Sequence, residues 1–201
     1  VSESMVHPRL PGRLATSLRP PETHWPVAAS EVGFHNDYLT LTVDTIVAPD
    51  QGRHGRVVVR PKSAVAVAAV DEQRRILLVE QYRHAQGGRL LEIPAGIMDV
   101  EGESAQVAAA RELAEETDLL ADTWHELLTL APTVGYSTER ITVFRATDLR
   151  PVPDADRTVR EAEEADMAQW WVDVEEAVAA CFDGRIIDAK TIVAILAVAR
   201  T

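Results

Sequence analysis

Gly96-Ile97-Met98-Asp99-Val100-Glu101-Gly102-Glu103-Ser104 runs on through Ala108-Ala109-Ala110 to Arg111-Glu112-Leu113-Ala114-Glu115-Glu116-Thr117-Asp118-Leu119. Ser104 is suited to cap a helix predicted at about 104–117, with Val107, Ala110, Ala114 and Thr117 as its buried stripe. Residues three and four apart on a helix are neighbours, so Glu112, Glu115 and Glu116 gather on another face with no oppositely charged partner between them. Such crowding is unfavourable unless something positive fills it. A hard divalent cation takes carboxylate oxygens and keeps waters and phosphates as its other ligands, which suits such a cluster. The alternative, common for acidic helices, is a solvated charged face.

Working outward, the upstream pattern is one of short apolar strands: Ala64 to Val70, Ile76 to Val79 and Leu90 to Ile93, with turn residues at Asp71 to Arg74 and at Gly87 and Gly88. Before them, Leu39 to Val47 and Arg56 to Arg60 read as two strands joined through Pro49, Asp50, Gly52 and Gly55. The first 26 residues contain Pro8, Pro11, Pro20, Pro21 and Pro26 with little periodicity and read as an arm. Downstream, strands are predicted near His125 to Leu130, Ile141 to Ala146 and Gln169 to Val172. Helices follow near Val174 to Phe182, ended by Gly184, and near Ala189 to Arg200. Strands first, with helices between and after them, indicate an α/β sandwich with mixed strand direction. The expected division is a proline-rich arm over 1–30, a β region over 31–60 and a main domain over 61–201.

The bulk composition narrows the chemistry. A chain of 201 residues with 46% apolar and 26% charged residues has the make-up of a soluble globular protein. No apolar run approaches membrane-span length, and Val1 to Leu10 carries no signal-peptide core, so a cytoplasmic protein without a membrane partner is expected. A net charge of −12 argues against nucleic acid as a partner, because phosphate backbones are held by Lys and Arg. A small phosphorylated ligand stays feasible if metal ions and a few arginines offset the repulsion. The lone cysteine, Cys181, lies in the apolar pattern Val178, Cys181, Phe182 and reads as a buried helix residue, not a nucleophile.

The stretch from Gly96 to Leu119 resembles the Nudix box: Gly, five residues, Glu, seven residues, then Arg-Glu-U-x-Glu-Glu-x-Gly-U, where U is bulky and apolar. Glu103, seven residues, and Arg111-Glu112-Leu113-Ala114-Glu115-Glu116-Thr117-x-Leu119 fit that pattern. Two positions depart from it: six residues separate Gly96 from Glu103, and Asp118 stands at the second glycine. The extra residue can be absorbed around Val100 to Gly102. Asp118 would need a left-handed backbone at a cost of ~1 kcal/mol. The resemblance implies a Nudix-type α/β/α sandwich with a mixed sheet from about residue 61, preceded by a small N-terminal antiparallel β-sheet region exchanged between the subunits of a homodimer. It also implies Glu112 and Glu116 as metal ligands and catalytic carboxylates, Glu115 as a ligand to another ion, and the Ala95 carbonyl as a further ligand. Arg111 and Glu103 would pair to hold the loop on the helix. The implied cofactor is Mg²⁺, with Mn²⁺ or another divalent cation as alternatives.

Glu80-Gln81-Tyr82-Arg83 and Leu91-Glu92-Ile93-Pro94-Ala95-Gly96 look like the ADP-ribose and nucleoside-diphosphate-sugar branch of that family. By that resemblance Arg83 would hold the diphosphate and Glu92 would contact the substrate; a guanidinium suits paired bonds to phosphate. The alternative for Arg83 is a salt bridge to Glu80 or Glu92. The branch's proline fifteen residues beyond the box is Val134 here, with Pro132 two residues earlier, while Gly135-Tyr136-Ser137-Thr138-Glu139 looks like the branch's loop. The acidic segment Glu161-Ala162-Glu163-Glu164 would supply a catalytic glutamate, Glu164 or Glu163, with Glu139 a lesser candidate and a solvated charge run the alternative. Phe34 or Tyr38 would meet a base or, alternatively, serve as core aromatics. The implied reaction is metal-dependent hydrolysis of the diphosphate of ADP-ribose or a related nucleoside diphosphate sugar to a nucleoside monophosphate and a sugar phosphate. The other readings are a Nudix-fold ligand-binding regulator without hydrolysis and a hydrolase of another nucleotide, such as a dinucleoside polyphosphate.

Overall fold

The computed structural model describes residues 5–6, 8–14, 22–160 and 165–200. Its strands are β1 (Met5–Val6), β2 (Arg13–Leu14), β3 (Val27–His35), β4 (Leu39–Val47), β5 (Arg53–Pro61), β6 (Ala64–Ala69), β7 (Arg75–Arg83), β8 (Gly88–Glu92) and β9 (Ala95–Ile97). Helix α1 (Ala105–Thr117) follows, then β10 (Leu119–Leu130), β11 (Ile141–Pro151), β12 (Ala168–Asp173), α2 (Val174–Phe182) and α3 (Ala189–Val198). The chain forms two compact units, Val1–Ser30 with Asp44–Arg56, and Glu31–Val43 with Val57–Thr201. One three-stranded sheet is ordered β3-β4-β5.

In the first unit β1 pairs antiparallel with β2, Met5 opposite Leu14. Ser30 Oγ donates to Asp44 Oδ1 at 2.5 Å, and Val47 N donates to the Pro26 carbonyl at 2.8 Å. Strand β3 begins at Val27 and every one of its residues is exposed.

The second unit is built on two sheets, one ordered β10-β11-β6-β9 and one ordered β12-β7-β8. Strands β6 and β11 are parallel, with Ala64 opposite Ile141, whereas β10–β11 and β6–β9 are antiparallel, so the first sheet is mixed. The unbroken apolar run of β6 is explained by burial on both faces, as inner strands of covered sheets require. Ala66 and Ala68 pack in one cluster with Val174 and Ala177 of α2 and Ala194 and Ile195 of α3. Val65, Val67 and Ala69 point the other way, into a cluster with Ala108, Ala109 and Leu113 of α1. Strand β7 divides likewise, Ile76 and Leu78 joining the first cluster and Leu77 the second. The result is a helix, sheet, helix layering with α1 on one side and α2 and α3 on the other. Among the described residues no helix is long and apolar enough to cross a membrane.

Helix α1 starts as predicted but rotates differently. Ser104 caps it, its Oγ accepting from Val107 N at 3.4 Å. The buried line runs through Ala108, Ala109, Leu113, Glu116 and Thr117, while Val107 is 57% exposed. The predicted stripe through Val107, Ala110 and Ala114 is therefore wrong in phase. Three consecutive alanines give no phase information, and Leu113, the largest apolar side chain of the helix, sets the inward direction. The helix ends at Asp118, which adopts φ 56° and ψ 31° and donates its N–H to the Ala114 carbonyl at 3.0 Å. Arg160 compensates at that end: its Nη2 lies 2.7 Å from Asp118 Oδ2, and its Nε donates to the Glu115 carbonyl at 2.8 Å. A cation there offsets both the carboxylate and the helix C-terminal carbonyls.

Candidate active site

Strand β9 pairs with β6, Gly96 opposite Val65, and its backbone lies alongside the face of α1 that carries the carboxylates. The approach is so close that a Cβ on Gly96 would collide with the Glu112 carboxylate, so any larger residue there would displace that carboxylate from its present position. One residue earlier, Ala95 N donates to Glu116 Oε2 at 3.0 Å. That bond draws Glu116 into the buried side of the helix, where it is only 6% exposed. The loop before the helix turns at Val100 to Glu103, Glu103 N bonding the Val100 carbonyl at 3.2 Å with Gly102 at φ 80°. The turn lies ahead of α1 and leaves Glu103 in reach of Arg111, whose Nε and Nη2 each approach it at 3.2 Å.

Arg111 does more than hold that loop. Its Nη1 donates to Glu112 Oε1 at 2.7 Å and to Glu115 Oε2 at 3.1 Å, and Asp99 lies 3.5 Å from Nη2. The expectation that no positive group lies among these carboxylates is thus corrected: one guanidinium is shared by four of them. One cation is not enough. Burial pushes the Glu112 carboxyl above its ordinary value; Arg111 opposes this, and the nearby charges of Glu115 and Asp99 add to it. Because Arg111 occupies Glu112 and Glu115, and Glu116 is turned to Ala95 N, the described residues contain no ready cage of three metal-binding side chains. Oxygen donors nonetheless converge: Glu112, Glu115, Glu116, Ala95 and Gly96 line one cavity of about 560 Å³ together with Arg83. The donors are all oxygen, three carboxylates with backbone carbonyls beside them, which suits a hard divalent cation.

Arg83 ends β7, and its Nε and Nη2 donate to the two oxygens of Glu92, at the end of β8, at 2.7 and 2.8 Å. Glu80 pairs instead with Arg89 at 2.6 Å and accepts from Trp170 Nε1 at 3.0 Å. Glu92 is 2% exposed and also accepts from Lys190 Nζ at 2.5 Å. Burial pushes its carboxyl up, but the bonds and charges of Arg83 and Lys190 outweigh that, and it lies below its ordinary value. Arg83 also faces a second cavity of about 330 Å³, whose lining includes Pro132, Glu139, Asp188 and Lys190.

Other positions read from the sequence fall as follows. Val134 is exposed, while Pro132, two residues earlier, reaches the cavity. Phe34 and Tyr38 are both exposed, which corrects their reading as core aromatics; Tyr38 lines the carboxylate cavity. Cys181 is half-buried in α2. Glu163 and Glu164 lie outside the described residues. Lys190 and Asp188 escaped the sequence reading: Lys190 lies 98 positions after Glu92 in the chain. The one local signal was Asp188-Ala189-Lys190-Thr191, in which Asp188 caps α3 by accepting from Thr191 N.

Residues 60–194 match the NUDIX domain. The chain belongs to the Nudix family. It is 41% identical over 160 residues to an ADP-ribose pyrophosphatase of Mycobacterium tuberculosis, covering 80% of this chain and 76% of that protein. It is 33% identical over 162 residues to a methanol dehydrogenase activator of Bacillus methanolicus, covering 81% and 85%. A crystal structure of an ADP compounds hydrolase superposes with a TM-score of 0.77 at 20% identity, over 90% of this chain and 96% of that one, and shares the fold. Nudix hydrolases generally act with divalent cations, and in this Nudix hydrolase Glu112, Glu115 and Glu116 of α1 line a common cavity.

Proposed function

We propose that this Nudix hydrolase cleaves the diphosphate of ADP-ribose or a closely related nucleoside diphosphate sugar, releasing a nucleoside monophosphate and a sugar phosphate. The observation that carries this is Arg83, held by Glu92 and facing the cavity lined by Glu112, Glu115 and Glu116. The likeness to a mycobacterial ADP-ribose pyrophosphatase supports the substrate class.

Glu112, Glu115 and Glu116, with the Ala95 carbonyl, would hold Mg²⁺ ions. When bound, such ions neutralise the diphosphate and lower the pKa of a coordinated water. Arg111 would give up part of its hold on Glu112 and Glu115 and keep Glu103, so the loop stays on the helix. Arg83 binds the phosphate oxygens; its Nε–H and one N–H of Nη2 are committed to Glu92, which leaves Nη1 and the second N–H of Nη2 to donate. Glu92, with both oxygens occupied, then acts by orienting Arg83. The proton of the attacking water would go to Glu164 or Glu163, in the segment between Arg160 and Gln169, both of which bond carbonyls at the end of α1. The N-terminal β region over 31–60 is proposed to pair in a homodimer, the arm over 1–30 preceding it, with the hydrolase domain over 61–201 acting in the cytoplasm.

The experiment is a panel of ADP-ribose, nucleotide sugars, dinucleoside polyphosphates and oxidised nucleotides with Mg²⁺ or Mn²⁺, products being identified. ADP-ribose or a nucleoside diphosphate sugar is expected to give the highest kcat/KM. Preferential turnover of dinucleoside polyphosphates, or none at all, would overturn the reading.

A further inference from the structure

We propose that Lys190 is a positioning residue that keeps the charge of Arg83 available to an anionic substrate. This rests on the reading that Arg83 receives the diphosphate.

Glu92 is nearly sealed from solvent, yet it accepts from both Arg83 and Lys190. Lys190 Nζ also donates to Asp188 Oδ2 at 3.0 Å, and its side chain is 11% exposed. Two cations and two carboxylates thus form a closed, neutral group: +1 +1 −1 −1. With Lys190 discharged the same group carries −1 around Arg83, in a site already lined by Glu139 on one side and Glu112, Glu115 and Glu116 on the other. A phosphate approaching Arg83 would then meet one uncompensated negative charge on the Glu92 and Asp188 pair. In low-dielectric surroundings that repulsion is strong.

The anchoring of α3 does not depend on Lys190. Asp188 accepts from Thr191 N at 3.0 Å and from Thr191 Oγ1 at 2.6 Å, and Thr191 Oγ1 in turn accepts from Ile93 N at 2.9 Å. These bonds dock the start of the helix onto the residue after Glu92 whatever stands at 190. A lysine whose only task was to staple the fold would be redundant here. A lysine that balances Glu92 so that Arg83 can face a phosphate is not.

The test uses the full chain with Mg²⁺ and compares wild type, Lys190→Met, which keeps the aliphatic stem, and Lys190→Arg. Binding of inorganic pyrophosphate is measured by calorimetry, and KM and kcat with ADP-ribose. Lys190→Met is expected to weaken pyrophosphate binding and raise KM about tenfold, with kcat within about twofold, and Lys190→Arg to recover most of both. Wild-type pyrophosphate affinity in a folded Lys190→Met protein would overturn the inference, as would a wild type that binds no pyrophosphate. If Lys190→Met does not fold, Lys190→Gln is read in its place. Loss of folding in both, or a lowered Tm with unchanged affinity, makes Lys190 a structural residue and also overturns the inference. Lys190-dependent pyrophosphate binding without ADP-ribose hydrolysis would leave the inference standing and remove the proposed substrate.

Discussion

Two glutamates, the buried Glu92 bonded to Arg83 and the half-buried Glu112 of α1, stand in opposite electrostatic conditions. Glu92 receives bonds from two cations and lies below its ordinary pKa. Glu112 receives one bond from a guanidinium shared with three other carboxylates and lies above it. Burial acts on both in the same direction, so the difference comes from how many cations each carboxylate has. A carboxylate whose charge is already balanced orients its partner. One short of positive charge has room for an ion that the chain itself does not supply, and that separates the proposed substrate end of the site from its proposed metal end.

The sharpest way to break this contrast is to neutralise the under-compensated end. Glu116→Gln and Glu112→Gln are each expected to lower kcat by at least ~100-fold while leaving the fold intact, because repulsion in the metal-free protein is relieved. Steady-state kinetics with excess Mg²⁺, alongside circular dichroism, checks this; near-normal turnover would show that the crowding on α1 is only a solvated acidic face. At the balanced end, Arg83→Ala is expected to raise KM for ADP-ribose about tenfold or more and to change half-saturation by Mg²⁺ far less. A drop in Tm with unchanged KM would reduce Arg83 to a salt-bridge residue.

Helix α1 shows what the sequence could and could not convey. Its cap Ser104 and its end at Thr117 were legible because capping and chain direction are local. Strand β4 and helix α2 coincide with the predicted 39–47 and 174–182 for the same reason, their apolar patterns being complete within themselves. Strand β3 was missed because all nine of its residues are exposed and no inward and outward alternation marks it. The carboxylate spacing was legible as helix geometry, but the reach of Arg111 into it was not. Nothing in residues 83, 92 and 190 taken separately announces that they converge.

Asp118 was legible as a departure, and its partner was not. Asp118→Gly should relieve the left-handed strain, and Arg160→Ala should destabilise the wild type by about 1 kcal/mol but the Asp118→Gly protein by less. Urea unfolding of the four proteins in a double-mutant cycle measures this; additive effects would mean that Arg160 acts only through the Glu115 carbonyl.

A smaller effect concerns acid. The pKa of Glu92 is lower in the folded state than its ordinary 4.5. Its ionised form therefore contributes stability that is present above that value and is lost as pH falls through the depressed folded-state pKa. Glu92→Gln should lack that portion, so its stability should fall less steeply than that of wild type below about pH 4.5. Parallel curves would mean that Glu92 titrates like an exposed carboxyl.

The most direct measurement is calorimetric titration of the full chain with Mn²⁺ in the absence of substrate, for wild type, Glu92→Gln and the Glu112→Gln/Glu116→Gln double variant. Wild type and Glu92→Gln are expected to bind the ion, and the double variant to lose binding by at least about tenfold. Equal affinity in all three proteins would contradict the assignment of the under-compensated carboxylates of α1 as the metal end of the site.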